Sequence, residues 1–420
     1  MNGQQIPRPM PWYFSPRVLV LGGLIPFYLA LWLFNDVFQL QLSTAKGFNF
    51  FHGEAFLAGL AGLVALAYGT LLPVNVFSIR NPRWRGLAPP IWFVQIVGVL
   101  ALIGYVYWFK DILLRPQEWL GIISRASASS YAVRSNLERG AGIASLASLG
   151  LAFFALLSHQ IWVVRRNAIT WPTKFLALLL AFFTVFRSFA WAERLAVFEA
   201  LFVVGLFWLG FSDRAARGWI GRIKPLMPVL ALGAVVLIFG AGEYFRSWSH
   251  YSKFETDYWG FIGQRLVNYY FQALNTGAGM ISVLDWPTYQ FSYLLEWLHK
   301  FPVLLGPITR YLTQVEPNTF LERFGDPEFN NPSGLFSVFY DVGLAPGILL
   351  LALTGTLAQS AYRAFQDSGN VLGLLFPVFF LALIELFRYW YLGNSRSFLF
   401  VLALIFAALL ARPAADRLRP

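Results

Sequence analysis

Two arginines seven positions apart, Arg187 and Arg194, stand at the junction of two strongly apolar runs, in the stretch FRSFAWAERLAVFE (186–199). On one continuous helix they would share a face. Each guanidinium can donate paired hydrogen bonds to phosphate oxygens, so together they suit a diphosphate. Glu193 and Glu199 lie in the same stretch, and Glu–Arg pairing or snorkelling to lipid headgroups is the alternative. Charge in or beside a hydrocarbon layer is costly and is usually paired or functional.

A second group surrounds Asp341. The stretch EPNTFLERFGDPEFNNPSGLFSVFYDVG (316–343) gathers Glu322, Arg323, Asp326, Glu328, Asn330 and Asn331 ahead of an apolar run that contains Tyr340 and Asp341. Such side chains bind sugar hydroxyls, and a carboxylate can serve as general base. Turn formation by Asp-Pro and Asn-Pro competes with that reading for the loop. For Asp341 the competing role is an ion pair with an arginine of another span.

Two further groups carry polar chemistry. YSKFETDYWGFIGQRLVNYY (251–270) holds Arg265, Asn268, Tyr269 and Tyr270 on an expected interfacial helix, and aromatics beside polar groups suit sugar faces and headgroups alike. ELFRYWYLGNSRSF (385–398) is a tight hairpin bearing Glu385, Arg388 and Arg396. Glu385 and Arg388, three apart, can satisfy each other, or Arg388 can partner Asp341.

Other chemistries lack their residues. The chain has no cysteine and only 4 histidines, without metal-ligand spacing. The Glu255-Thr256-Asp257 triplet is too weak a pattern to imply a metal. No P-loop or G-x-S-x-G elbow occurs, so nucleotide hydrolysis and that serine chemistry are not expected. An activated lipid donor would need neither.

The elements that position these groups follow from composition. The chain of 420 residues is 57% hydrophobic and 13% charged, against about a quarter charged in soluble domains. Ten apolar runs, each long enough for a hydrocarbon core of about 30 Å, are expected as spans at 18–34, 55–76, 91–109, 142–163, 174–190, 195–211, 226–242, 335–358, 371–388 and 396–411. This predicts an all-α, polytopic helical membrane protein. The net charge of +11 is read as membrane topology rather than nucleic-acid binding. Basic residues in the short loops put both termini inside, with the loop 110–141 (Lys110, Arg115, Arg125, Arg134, Arg139) as the exception. The expected division is a membrane bundle over 1–242, a large outer loop over 243–334 and a second bundle over 335–420. Within the loop, 261–284 and 289–301 read as amphipathic helices, of the kind that lie along a membrane interface or cap a cavity.

The order of these features resembles a family. A short arginine hairpin, a long outer loop with RLVNYY, and NNPSGLFSVFYDVGLAPGILLLALTGTL with its Tyr340-Asp341-x-Gly343 element are similar to the membrane oligosaccharide repeat-unit polymerases of O-antigen and exopolysaccharide. The chain departs from that pattern at Asn331-Pro332-Ser333-Gly334, where the family often has an Asn-x-Tyr-Thr-like element. The resemblance implies a GT-C-like, metal-independent glycosyltransferase of the bacterial inner membrane, without cofactor, acting on the periplasmic side. Donor and acceptor would be undecaprenyl-diphosphate-linked oligosaccharides, with membrane lipid, a chain-length regulator and a flippase as further partners. Arg187, Arg194, Arg265 and Arg323 would neutralise the departing diphosphate and Asp341 would be the base or orient an arginine. Tyr269, Tyr270, Asn330, Asn331, Tyr340, Arg388 and Arg396 would bind substrate. An O-antigen-ligase-like transferase is the neighbouring alternative, although His250 and His299 lack a supporting motif. A lipid-oligosaccharide flippase is the alternative of another class, opposed by nearly charge-free spans.

Overall fold

The computed structural model describes residues 10–37, 47–74, 76–77, 87–114, 117, 142–164, 169–190, 193–212, 218–254, 257–300, 315–326, 329–367 and 370–413. Arg115, Arg125, Arg134, Arg139, Glu255, Thr256 and Glu328 lie outside them. Six helices among the described residues are long and apolar enough to cross a membrane. They are α1 (Pro16–Val37), α2 (Gly53–Leu71), α3 (Ile91–Trp108), α4 (Ile143–Val163), α7 (Ile220–Tyr244) and α11 (Leu344–Gln366). Between them come α5 (Trp171–Ala190), α6 (Leu195–Phe211), α8 (Tyr258–Val283), α9 (Val315–Phe324) and α10 (Gly334–Val342), and α12 (Val371–Ile384) and α13 (Ser395–Leu409) complete the chain. This is a helical, multi-pass membrane protein. Its described strands are two short ones, pairing Leu87 with Pro413 and Ala88 with Arg412.

Two hydrophobic cores hold the helices. One joins α3, α4, α5 and α6 to α12 and α13 through Phe153, Leu180, Phe207, Phe376 and Phe400. The other joins α1 and α2 to α8, α10 and α11 through Tyr28, Phe51, Phe271, Phe336 and Leu351. In a bilayer, helices gain little from hiding apolar surface from one another, so close approach by small residues matters more. On α2 and α11, a Cβ at Gly69 would overlap the Ala352 carbonyl and one at Gly355 would overlap that of Leu66. Thr356 Oγ1 donates across the same contact to the Gly69 carbonyl at 3.2 Å.

Three expected elements are corrected. The run 335–358 is not one span: Gly343, at φ +90°, ends α10 and starts α11. That left-handed backbone costs glycine least, having no Cβ. The helix expected over 261–284 forms as α8, but every residue from Phe271 to Ile281 is buried, so its second half lies in the core and not along an interface. Asn275 makes that burial tolerable: its Oδ1 accepts from the Phe50 and Phe51 amides at 2.6 and 3.1 Å, and its Nδ2 donates to the Phe48 carbonyl at 3.0 Å. The segment 289–301 forms only turns and the short helix Glu296–His299 among its described residues.

Candidate functional site

Ionisable side chains from α5, α6, α13 and the α12–α13 connection meet at one end of the first core. Arg187 occupies the last turn of α5, where the helix dipole favours a cation. Its guanidinium lies 4.2 Å over the ring of Trp108, which ends α3. Arg396 sits in the first turn of α13, whose start Asn394 fixes by accepting the Arg396 amide at 2.9 Å. Both guanidiniums converge on one atom, Oε2 of Glu193. Arg187 donates to it through Nε at 2.9 Å and also through Nη2, and Arg396 through Nη2 at 3.3 Å.

The cluster continues inward. Arg396 Nη1 is 3.9 Å from Oε2 of Glu199, a residue only 3% exposed. Glu385 pairs with Arg388 at 2.8 Å, and the Arg388 guanidinium stacks 4.6 Å over Tyr269. Burial pushes the neighbouring Tyr270 phenol up to about 12, with the charge of Glu385 adding to the effect. The three arginines are thus matched by Glu193, Glu199 and Glu385. Breaking such a buried pair costs far more than the intact pair contributes.

Arg194 belongs to a different cluster. It precedes α6 in a turn, so no continuous helix puts it on one face with Arg187, and the two arginines face separate partners. Arg194 pairs with Glu243 of α7 and lies 4.2 Å over Phe239. Arg265 of α8 places its Nε 3.2 Å from the same Glu243, and Ser247 donates to it as well. Rings of Tyr251, Phe261 and Phe329 surround the Arg265 guanidinium at 5.1–5.3 Å. Glu243 therefore ties α7 to both α6 and α8 while most of α7, including Val229, Leu232 and Leu237, is exposed along its length.

Asp341 has neither of the expected partners. Arg388 pairs with Glu385 instead, and among the described residues no arginine pairs with Asp341. The carboxylate is fully buried; its Oδ2 accepts the amides of Tyr293 and Leu294 at 2.8 and 2.7 Å, and its Oδ1 accepts from Ser292 Oγ at 3.2 Å. Burial still pushes the carboxyl above its ordinary range, and these donors oppose that shift. The backbone joins in, because the Thr288 and Tyr289 amides donate to the carbonyls of Tyr340 and Asp341 at 2.9 and 2.8 Å. Tyr289 and Phe291 have φ of +54° and +55°, a left-handed backbone that persists only where surroundings enforce it. Asp341 is the centre of that enforcement.

The remaining expected residues scatter. Tyr269 and Tyr270 flank the first cluster, and Tyr340 is buried with its ring 6.1 Å from that of Tyr293. Arg323 and Asn330 are exposed and Asn331 is half-buried. Glu243, Ser292, Tyr389 and Tyr391 were not expected. A carboxylate at the end of an apolar run was the available signal for Glu243, whereas nothing marked Ser292. No group of three or more metal-ligating side chains occurs among the described residues. No family model, characterised protein or solved structure matches the chain.

Proposed function

We propose that this chain is a membrane glycan polymerase that joins lipid-diphosphate-linked oligosaccharides, releasing undecaprenyl diphosphate. One observation carries the reading: two guanidiniums from different helices aim at a single oxygen position, now taken by Glu193 Oε2. That is the arrangement a diphosphate oxygen requires, since a planar guanidinium binds such oxygens through paired donors. Glu193 is about a fifth exposed and Arg396 about a quarter, at 21% and 26% for their side chains, so the carboxylate has room to yield its place. Charge developing on a leaving diphosphate would then be stabilised by fixed cations, the part a divalent ion plays elsewhere. The Tyr340-Asp341-x-Gly343 element supports the same family by resemblance.

In this reading α5, α6, α12 and α13 also cross the bilayer, giving ten spans with α11 as the eighth and α10 outside the hydrocarbon. The cluster end faces the periplasm of a bacterial inner membrane, and the architecture is GT-C-like. Arg187 and Arg396 bind the diphosphate. Arg194 and Arg265 act indirectly, holding α7 and α8 in place around it. The test is incubation of the purified protein with a lipid-diphosphate-linked repeat unit, with and without EDTA, followed by electrophoresis of the glycans. A ladder that survives EDTA is expected. Transfer to a lipid A acceptor without a ladder would replace polymerisation by ligation, and absence of product from a competent substrate would remove the transferase reading.

A further inference from the structure

Arg396 and Phe398 stand two positions apart in the first turn of α13, so their side chains do not share a face of the helix. Arg396 reaches Glu193 and Glu199, whereas the Phe398 ring stacks on Trp297 with centroids 4.1 Å apart and planes 7° from parallel. Trp297 belongs to the short helix Glu296–His299, which packs on α13. A second contact lies just before α13. Gly393 closes the turn Tyr391–Gly393, and a Cβ there would overlap the carbonyls of Leu294 and Tyr293. The segment 293–297 therefore braces the start of α13 at Gly393 and again at Phe398.

The brace is itself anchored. Asp341 accepts the Tyr293 and Leu294 amides, and His299 Nε2 donates to the Gln290 carbonyl at 3.0 Å, closing the segment on itself. On the other side, the hairpin that carries Arg396 is tied internally. Asn394 Oδ1 accepts the Arg396 amide at 2.9 Å, and Ser397 Oγ donates to the Asn394 carbonyl at 2.8 Å. Residues 393–398 thus move as a unit, and a shift at Gly393 or Phe398 displaces the Arg396 backbone. A guanidinium that shares an anion with Arg187 must be held to within about 0.5 Å of its productive geometry. Its flexible side chain cannot supply that precision unless its backbone is placed from outside.

We propose that Trp297 is a positioning residue for Arg396: its stack on Phe398, with the Leu294–Gly393 contact, sets where that guanidinium meets the diphosphate. This assignment rests on the reading of Arg187 and Arg396 as the diphosphate site. It also accounts for the bent path of the segment. Tyr289 and Phe291 keep a left-handed backbone, a strain that persists where the surrounding structure over-determines it. Here that strain lets one short stretch reach from Asp341 at the end of α10 to the first turn of α13. A contact that merely packs would act on the whole fold, whereas a positioning contact acts through Arg396 alone.

The experiment measures binding of undecaprenyl diphosphate to the full chain in detergent, for Trp297→Ala, Arg396→Gln and the double variant. Trp297→Ala is expected to weaken binding about tenfold, the upper end of what an aromatic pair contributes. In the Arg396→Gln background the same substitution should change affinity by less than about twofold, because effects that pass through one residue do not add. Trp297→Phe keeps a stacked ring and should bind close to wild type. Phe398→Leu removes the other ring and carries the test if Trp297→Ala does not fold. It too should weaken binding, and lose that effect once Arg396 is gone. An equal loss with and without Arg396 overturns the assignment, since the stack would then only support the fold. Unchanged binding by a well-folded Trp297→Ala overturns it as well, and both results spare the diphosphate reading. A wild type that does not bind the probe, or binding untouched by Arg396→Gln, removes that reading and this assignment with it.

Discussion

Asp341 Oδ2 and the amide of Leu294 are joined by a hydrogen bond of 2.7 Å, which fastens the turn at 292–295 to the last turn of α10. The acidic group inside an apolar run is there because an irregular backbone segment packs against it. A carboxylate that receives two amides and a hydroxyl is an anchor, and its substitutions should separate anchoring from proton transfer. An asparagine at this position can keep both amide contacts through its oxygen and donate to Ser292 Oγ through its nitrogen. Asp341→Asn should therefore fold and polymerise near the wild-type rate. Asp341→Ala leaves the buried Leu294 amide and the half-buried Tyr293 amide without this acceptor, at about 1–3 kcal/mol for the buried one, and should expose 285–295 to limited proteolysis. Abolished activity in a well-folded Asp341→Asn would restore Asp341 as the base.

Asp341 also sets a pH dependence. Its carboxyl titrates above the ordinary value of 3.8 because burial disfavours the charged form. The folded state then binds the proton more tightly than the unfolded one, so this contribution to stability is full below 3.8 and is lost as pH rises through the folded value. The amide introduced by Asp341→Asn does not titrate. Thermal unfolding of the two proteins should show wild type gaining on Asp341→Asn as pH falls from neutrality, and a constant gap would contradict the shift.

Glu243 offers the clearest stability prediction. It is fully buried and shared by Arg194 and Arg265. Glu243→Ala removes the carboxylate that two buried guanidiniums share, and loss of one partner of a buried pair typically costs about 3–5 kcal/mol. Because Glu243 holds α7 to α6 and α8, cleavage within 247–254 should accelerate together with the fall in Tm. Arg194→Ala should cost less, since Arg265 still faces the carboxylate.

What was legible in the sequence follows the same physics. Long apolar runs announced α1, α2, α3, α4, α7 and α11, because nothing but burial or lipid accommodates them. The break at Gly343 was hidden, since glycine inside an apolar run is common in spans. The Arg187–Arg194 pairing failed because it assumed an unbroken helix across the α5–α6 connection. Arg396 and Glu193 could not be matched across two hundred residues of chain by spacing alone. For Asp341 the expected partner was a cation, while its actual partners are chiefly backbone amides, which carry no residue signature. The second half of α8 carries Gln272, Asn275 and Thr276 among its apolar residues, a pattern that composition alone does not separate from a surface helix, and all three are buried.

The α2–α11 contact should tolerate no added carbon. At Gly355 a side chain would meet the Leu66 carbonyl, and at Gly69 that of Ala352. Overpacking a core usually costs about 1–3 kcal/mol through side-chain shifts. Here the obstacle is backbone, so Gly355→Val should exceed that range and yield aggregated protein on gel filtration. Gly205→Ala on α6, where a Cβ meets nothing within 4 Å, is the matching control and should leave Tm unchanged or raised.

Glu193 should trade stability against ligand affinity. Its Oε2 holds Arg187 and Arg396 together and occupies the point where a diphosphate oxygen would bind them. Ligand and carboxylate then compete, and every degree of Glu193 pairing lowers the apparent affinity by the fraction of molecules left open. Glu193→Ala removes the competitor, so undecaprenyl diphosphate should bind about tenfold more tightly, equivalent to about 1.4 kcal/mol. The free protein should unfold at a lower temperature, because Arg187 and Arg396 then lose the carboxylate that they share, with Glu199 still facing Arg396 at 3.9 Å. Added diphosphate should restore much of that loss, since a ligand that binds only the folded state stabilises it by mass action. Titration calorimetry and thermal unfolding on one preparation read both effects. Weaker binding in Glu193→Ala would mean that the carboxylate orients the arginines for the ligand, and the pocket would then have to be built around Glu193 in place.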